Sequence, residues 1–421
     1  MKQNVQSIVA GGALVLLLAG GAFALEELGG AFDGSPDDAS IVYSGPADDA
    51  IARLNRKLED GSVQLAYDPV QGSYLRSVLD ALRVPVESQI VAMARTSVQQ
   101  RIIHPDNPRT LYFNDLVIVG YVRGGFIEAA AQDPKQGMMF YTLAGNGQAR
   151  FQRENDCLSC HLAYDTMGVP GTLLRSVFPQ PDGSVLPGTG RYATDHRSPV
   201  EQRYGGWYVT GKRGPARDLG NLFFTDPDKA EAPAKAQLLA TLAGKLDPAR
   251  YLSSYSDIVA LQVFDHQMHM MNLLTRVGWE ARWAKAQQPS TLAERMKNAA
   301  TELVDYLLFV DEAPFEGKIE GSSGFAEKFA AEGPFDSRGR SLRQFDLEHR
   351  LMRYPCSYMI YSEAFDNLPP AAKDAIYRRL WAVLSGRVSG GKYARLSPED
   401  RKAVLQILRE TKKDLPAYFA G

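Results

Sequence analysis

The sequence predicts an α+β fold that is mainly α, and three observations carry that reading. Short β-rich runs crowd into residues 109–142, helical periodicity dominates beyond about residue 235, and the stretch between is broken by recurrent Gly and Pro. The composition, 45% hydrophobic and 23% charged, is that of a chain able to form a core.

The elements follow in order. Lys2 precedes an apolar run from Ile8 to Phe23 that closes on Ala22-Phe23-Ala24, the small-x-small pattern of a secretory cleavage site. Residues 1–24 are therefore expected to be a signal peptide, and the mature protein periplasmic or otherwise exported. The alternative is an uncleaved N-terminus that associates with the membrane, because the run is near the lower length limit for a spanning helix. Residues 25–47, rich in Gly, Pro and Asp with little apolar period, read as a flexible linker. From Asp48 to Asp60 acidic residues lead a helical face of Ile51, Leu54 and Leu58, and Gly61 is the stop.

Leu111-Tyr112-Phe113, the run from Leu116 to Val122, Phe126-Ile127 and the run from Met138 to Tyr141 are β-rich. They are separated by Asn114-Asp115, Gly124-Gly125 and Asp133-Pro134 turn signals, so a small antiparallel sheet is expected. Residues 171–224 should be loop-rich, with short strand-like pieces such as Trp207-Tyr208-Val209. Helices are expected over 256–286, 291–309, 370–385 and 397–412, the last opening on Ser397-Pro398-Glu399-Asp400 as N-cap, first-position Pro and acidic first turn. An α+β region over 48–235, which contains the Cys157–His161 motif, and a helical region over 236–421 packing on the side of that motif complete the division.

The formal net charge of −2 offers no field for nucleic acid or an anionic membrane surface, so neither is an expected partner. Three Cys are too few for a disulfide framework in an exported chain. Two of them stand in Cys157-Leu158-Ser159-Cys160-His161. Two thiols three positions apart on one helical turn can each add to a haem vinyl group, and the adjacent His then points its imidazole at the iron. A zinc site would need two further ligands, with Cys356 and one His the only thiolate-containing completion, and a redox dithiol would want a βαβ setting. The motif occurs once, so one covalent haem c is expected: a cytochrome c-like haem motif between the β region and the helical half. Cys356 reads as a small buried hydrophobe.

For the opposite axial position, Val259, Val263, His266, Met270, Leu273 and Val277 share one stripe of a helix, which buries His266 and makes it the expected distal ligand beside His161. Met268 or Met270, His196, and an open or water-bound iron are the alternatives; Met167 lies too near His161 to cross the ring. His269 shares its face with Gln262, Asp265, Asn272 and Arg276 and should be solvated. His196 is expected to be an exposed loop residue, and His104 and His349 surface residues. Arg175, Arg191, Arg197 and Arg203 could hold the haem propionates, or could form a solvated basic surface.

The chain resembles an uncharacterised family of exported bacterial mono-haem proteins with a cytochrome c haem-binding domain. The resemblance rests on Pro108 to Asp115, Cys157 to His161, Thr194 to Pro199 with Gly205 to Gly211, His266-Gln267 with Asn272 to Arg276, and Pro355 to Ser362. It implies one covalent haem and assigns roles only to Cys157, Cys160 and His161. The expected function is electron transfer to a redox partner protein. The alternatives are a haem-dependent oxidoreductase, peroxidase-like or acting on a small molecule, with an open distal site, and a module whose haem stabilises the fold or senses a gas.

Overall fold

The computed structural model describes residues 31–145, 149–230, 238–287 and 290–420, so the expected signal peptide lies outside the described residues. Helix α1 (Ala50–Glu59) begins on Asp49, whose carboxylate accepts from the amides of Ile51 and Ala52, and it buries Ile51 and Leu54. Helix α2 (Leu75–Leu82) buries Leu75, Val78 and Leu79. Strands β1 (Ile90–Ala92), β2 (Arg109–Phe113), β3 (Val117–Tyr121), β4 (Ile127–Asp133), β5 (Gly137–Leu143) and β6 (Gln152–Arg153) follow.

Past the short helix α3 (Leu158–His161) come β7 (Leu174–Ser176), β8 (Tyr192–Thr194) and β9 (Trp207–Tyr208). The helical half holds α4 (Ile258–Gln287), α5 (Ser290–Leu307), α6 (Phe325–Ala331), α7 (Glu363–Asp366), α8 (Pro370–Leu384) and α9 (Pro398–Thr411). Ser397 caps α9 by accepting the Asp400 amide at 3.0 Å. The fold is α+β, with about 37% of it helical.

The main sheet has seven antiparallel strands in the order β6-β5-β4-β3-β2-β1-β9. It is larger than the four β-rich runs suggest, because β1, β6 and β9 are too short to show a period. Trp207 and Tyr208, expected among loops, pair with Ala92 and Val91 and form one edge of the sheet. Alternation sorts the side chains: Phe113, Ile118, Met138 and Phe140 pack toward α4, while Tyr112, Val119, Met139 and Tyr141 pack toward α1 and α2. Both faces are covered, which is why the strands read as nearly continuous apolar runs.

The expectation of a flexible linker over 25–47 needs correction for its described part. Phe32, Ile41 and Tyr43 are buried. Phe32 meets the Trp279 ring edge-on with centroids 5.3 Å apart, and the Tyr43 hydroxyl donates to the Met138 carbonyl at 2.9 Å. Three isolated apolar side chains have no period, yet each fills a gap left by the sheet and α4. Among the described residues, no helix is long and apolar enough to cross a membrane.

Candidate functional site

The Cys157–His161 segment lies at the surface just after β6. Cys160 is exposed, Cys157 and His161 are half-buried, and neither thiol is in a disulfide. Burial and the charges of Glu128, Glu154 and Asp156 push the Cys157 thiol above its ordinary range, so it stays protonated at neutral pH.

His161 Nδ1 lies 2.9 Å from the Gly171 carbonyl oxygen. A carbonyl only accepts, so Nδ1 carries the proton and Nε2 holds the lone pair. Burial lowers the ring's pKa, with the Gly171 bond opposing and Arg109 and Arg175 adding to the fall, so the imidazole is neutral at pH 7. The Phe140 ring from β5 packs on it, centroids 4.7 Å apart.

Helix α4 fixes the Gly171-Thr172 turn that grips His161. Asn272 Oδ1 accepts the Thr172 amide at 3.0 Å, and Asn272 Nδ2 donates to the Thr172 carbonyl at 2.7 Å. Thr172 Oγ1 donates to Met268 Sδ at 3.0 Å. A Cβ on residue 171 would sit 2.3 Å from Asn272 Oδ1, so only glycine allows this approach.

His266 does not face this turn. At 3.6 residues per turn it lies about 160° around α4 from Met268 and about 120° from Asn272. Its ring is 0% exposed, with Nδ1 2.7 Å from His196 Nδ1 and Nε2 2.7 Å from Ser357 Oγ. The Tyr306 and Phe309 rings stack against it at centroid distances of 5.1 and 4.5 Å. The expectation of a distal ligand is therefore corrected: both nitrogens are engaged and the ring belongs to the core. Burial holds its pKa down to about 3.

The face of α4 expected to be solvated is instead a buried polar centre. His196, expected to be exposed, is 2% exposed and stacks on Tyr306 at 4.0 Å. Its Nε2 has no hydrogen-bond partner, so the cheaper tautomer is the one in which His196 Nδ1 donates to His266 Nδ1, leaving a bare acceptor rather than a buried N–H. Asp195 accepts a forked pair from Arg197, at 3.1 Å from Nε and 2.6 Å from Nη2. Burial works against the ionised Asp195, but His269 and Arg197 outweigh it and hold the carboxyl below the usual carboxylate range.

Arg203 donates to Gln262 Oε1 and the His196 carbonyl, both at 2.8 Å, and stands 3.8 Å from Asp265. Asp265 accepts from Thr194 Oγ1 at 2.8 Å, and burial raises its pKa to about 7. The segment 194–203 supplies polar partners to Gln262, Asp265 and His269, while Thr172 meets Asn272 and Glu302 meets Arg276, and a periodicity cannot distinguish such partners from water. Ser357, His266 and His196 are strung together as nucleophile, base and orienting group would be, but exposures of 0%, 0% and 2% keep any substrate from them.

The remaining expectations resolve simply. Cys356 is fully buried, and burial drives its thiol far above the ordinary range. The His104 and His349 side chains are 44% and 77% exposed. Among the described residues, no three or more His, Cys, Asp or Glu side chains converge as a metal-holding group. Sequence patterns give no signal for Gly171 or Thr172 and none that ties Asn272 to His161, because their importance is a close approach between distant segments. No family model, curated protein or solved structure matches the chain.

Proposed function

We propose that this chain is an exported c-type cytochrome that holds one haem through Cys157 and Cys160, ligates its iron with His161, and transfers electrons to a redox partner protein. The observation that carries the reading is the 2.9 Å bond from His161 Nδ1 to the Gly171 carbonyl. It orients the ring, fixes the tautomer and leaves Nε2 as a neutral donor, as a ligating His requires. The donor set fits the group: two free thiols on one turn, with the imidazole at the end of that turn.

The haem would supply an iron that cycles by one electron. Cys157 and Cys160 would tether it, Gly171 and Phe140 would keep the His161 ring from turning, and the exposed side of Cys160 would leave the tether open to a partner. The family resemblance and the N-terminal export pattern support the same reading, since thioether attachment takes place outside the cytoplasm.

A second reading, a haem oxidoreductase with an open distal side, is favoured by one observation. The histidine expected to close that side, His266, has no free nitrogen.

Expression of the full chain with the haem-attachment machinery tests the proposal. Covalent haem on exported protein, lost in C157A and C160A, is expected; haem retained without both thiols would overturn it. A low-spin spectrum indifferent to carbon monoxide and peroxide favours the carrier, and a reactive high-spin iron favours the oxidoreductase.

A further inference from the structure

Of the four arginines Arg175, Arg191, Arg197 and Arg203, three are spent or exposed. Arg203 is 1% exposed and saturated by Gln262, Ser198 and the His196 carbonyl. Arg197 is forked onto Asp195. Arg191 is exposed. Arg109, whose charge also reaches His161, is paired with Glu128, and that carboxylate takes Ser97 Oγ and Gln99 Nε2 besides.

Arg175 differs. It lies at the centre of β7, paired in register with Ala193 of β8, while the flanking Leu174 and Ser176 point the other way into the core. Its carbonyl is held by Trp207 Nε1 at 2.8 Å, so the strand is fixed at this residue. The residue is half-buried, its Nε is buried with no hydrogen-bond partner, and among the described residues no acidic side chain pairs with it. It stands four residues beyond Gly171, whose carbonyl oxygen lies 2.9 Å from His161 Nδ1. A half-buried guanidinium whose Nε is buried without a partner is costly unless something anionic completes it.

We infer that Arg175 is the residue that binds a carboxylate of the group seated on His161, a haem propionate. This rests on the haem reading above. A planar guanidinium suits a carboxylate better than Lys would, and one held by a strand needs little further ordering. The ion pair would keep the propionate ionised and place a positive charge near the iron, which disfavours the ferric state.

The test uses the haem-loaded full chain and its R175Q and R175K variants, with the midpoint potential followed as a function of pH. Glutamine is expected to lower the potential and to move the break due to propionate ionisation to higher pH, and lysine to restore part of both. An unchanged potential and break in a haem-bearing R175Q overturns the inference and leaves the haem reading standing. A wild-type chain that acquires no covalent haem sinks the haem reading, and the inference with it. A merely structural role for Arg175 would lower the melting temperature in R175Q without moving the break, and that outcome also counts against the inference.

Discussion

Asn272 holds both backbone groups of Thr172, taking its amide at 3.0 Å and giving to its carbonyl at 2.7 Å. One side chain of the central helix thereby dictates the path of the turn whose preceding carbonyl orients His161. Replacing Asn272 by Ala strands two buried backbone groups and should cost about 2–4 kcal/mol. Urea unfolding would measure the loss, and a lower yield of haem-loaded protein should accompany it. Undiminished stability would mean that the turn holds itself.

Substitution of His266 by Ala removes a ring packed by Tyr306 and Phe309 and unpairs Ser357 and His196. A loss of about 2–4 kcal/mol is expected, with the visible spectrum of the haem-loaded variant unaltered. A change in the axial ligand bands would instead place His266 on the iron.

Asp265 makes stability depend on pH in a direction opposite to its histidine neighbours. Its value is 3.8 unperturbed and about 7 in the fold, so its contribution is fully present below the lower value and lost as pH rises through the upper one. His266 and His269, pushed down by burial to about 3 and about 4, favour the fold only while neutral, so their contribution falls away as pH drops below 6.5. Within the window that Asp265 controls, D265N should remove a slope of up to about 1.4 kcal/mol per pH unit. Wild-type stability relative to D265N should be greater at pH 5 than at pH 8. A difference that stays constant would assign the titration to another group, Glu312 being the next candidate at about 7.

Phe32 is 4% exposed and wedged against Trp279 and Trp283. Truncation to Ala should cost about 3 kcal/mol and alter tryptophan fluorescence. A neutral effect would restore the view of this segment as a spacer.

Where a local rule governs, the sequence was enough. The caps of α1 and α9 and the long apolar period of α4 place those helices within two residues of their observed ends. The central strands were equally legible, while β1, β6 and β9 escaped because two or three residues carry no period. The motif itself was plain, but the turn that orients His161 was invisible: Gly171 and Asn272 are about one hundred positions apart and matter only because they touch. The same limit made the polar face of α4 look like surface. Asp265 and His269 carry the signature of hydration, and what meets them is the Thr194–Arg203 segment rather than water.

The two main hydrophobic clusters close around the sheet and α4, while Cys157 and Leu158 only border them and Cys160 faces outward. In a small cytochrome the prosthetic group is itself much of the interior. Here the chain's own side chains fill those clusters, so under the haem reading proposed above attachment would take place on an already folded scaffold, and a chain lacking both thiols should still accumulate as a folded protein.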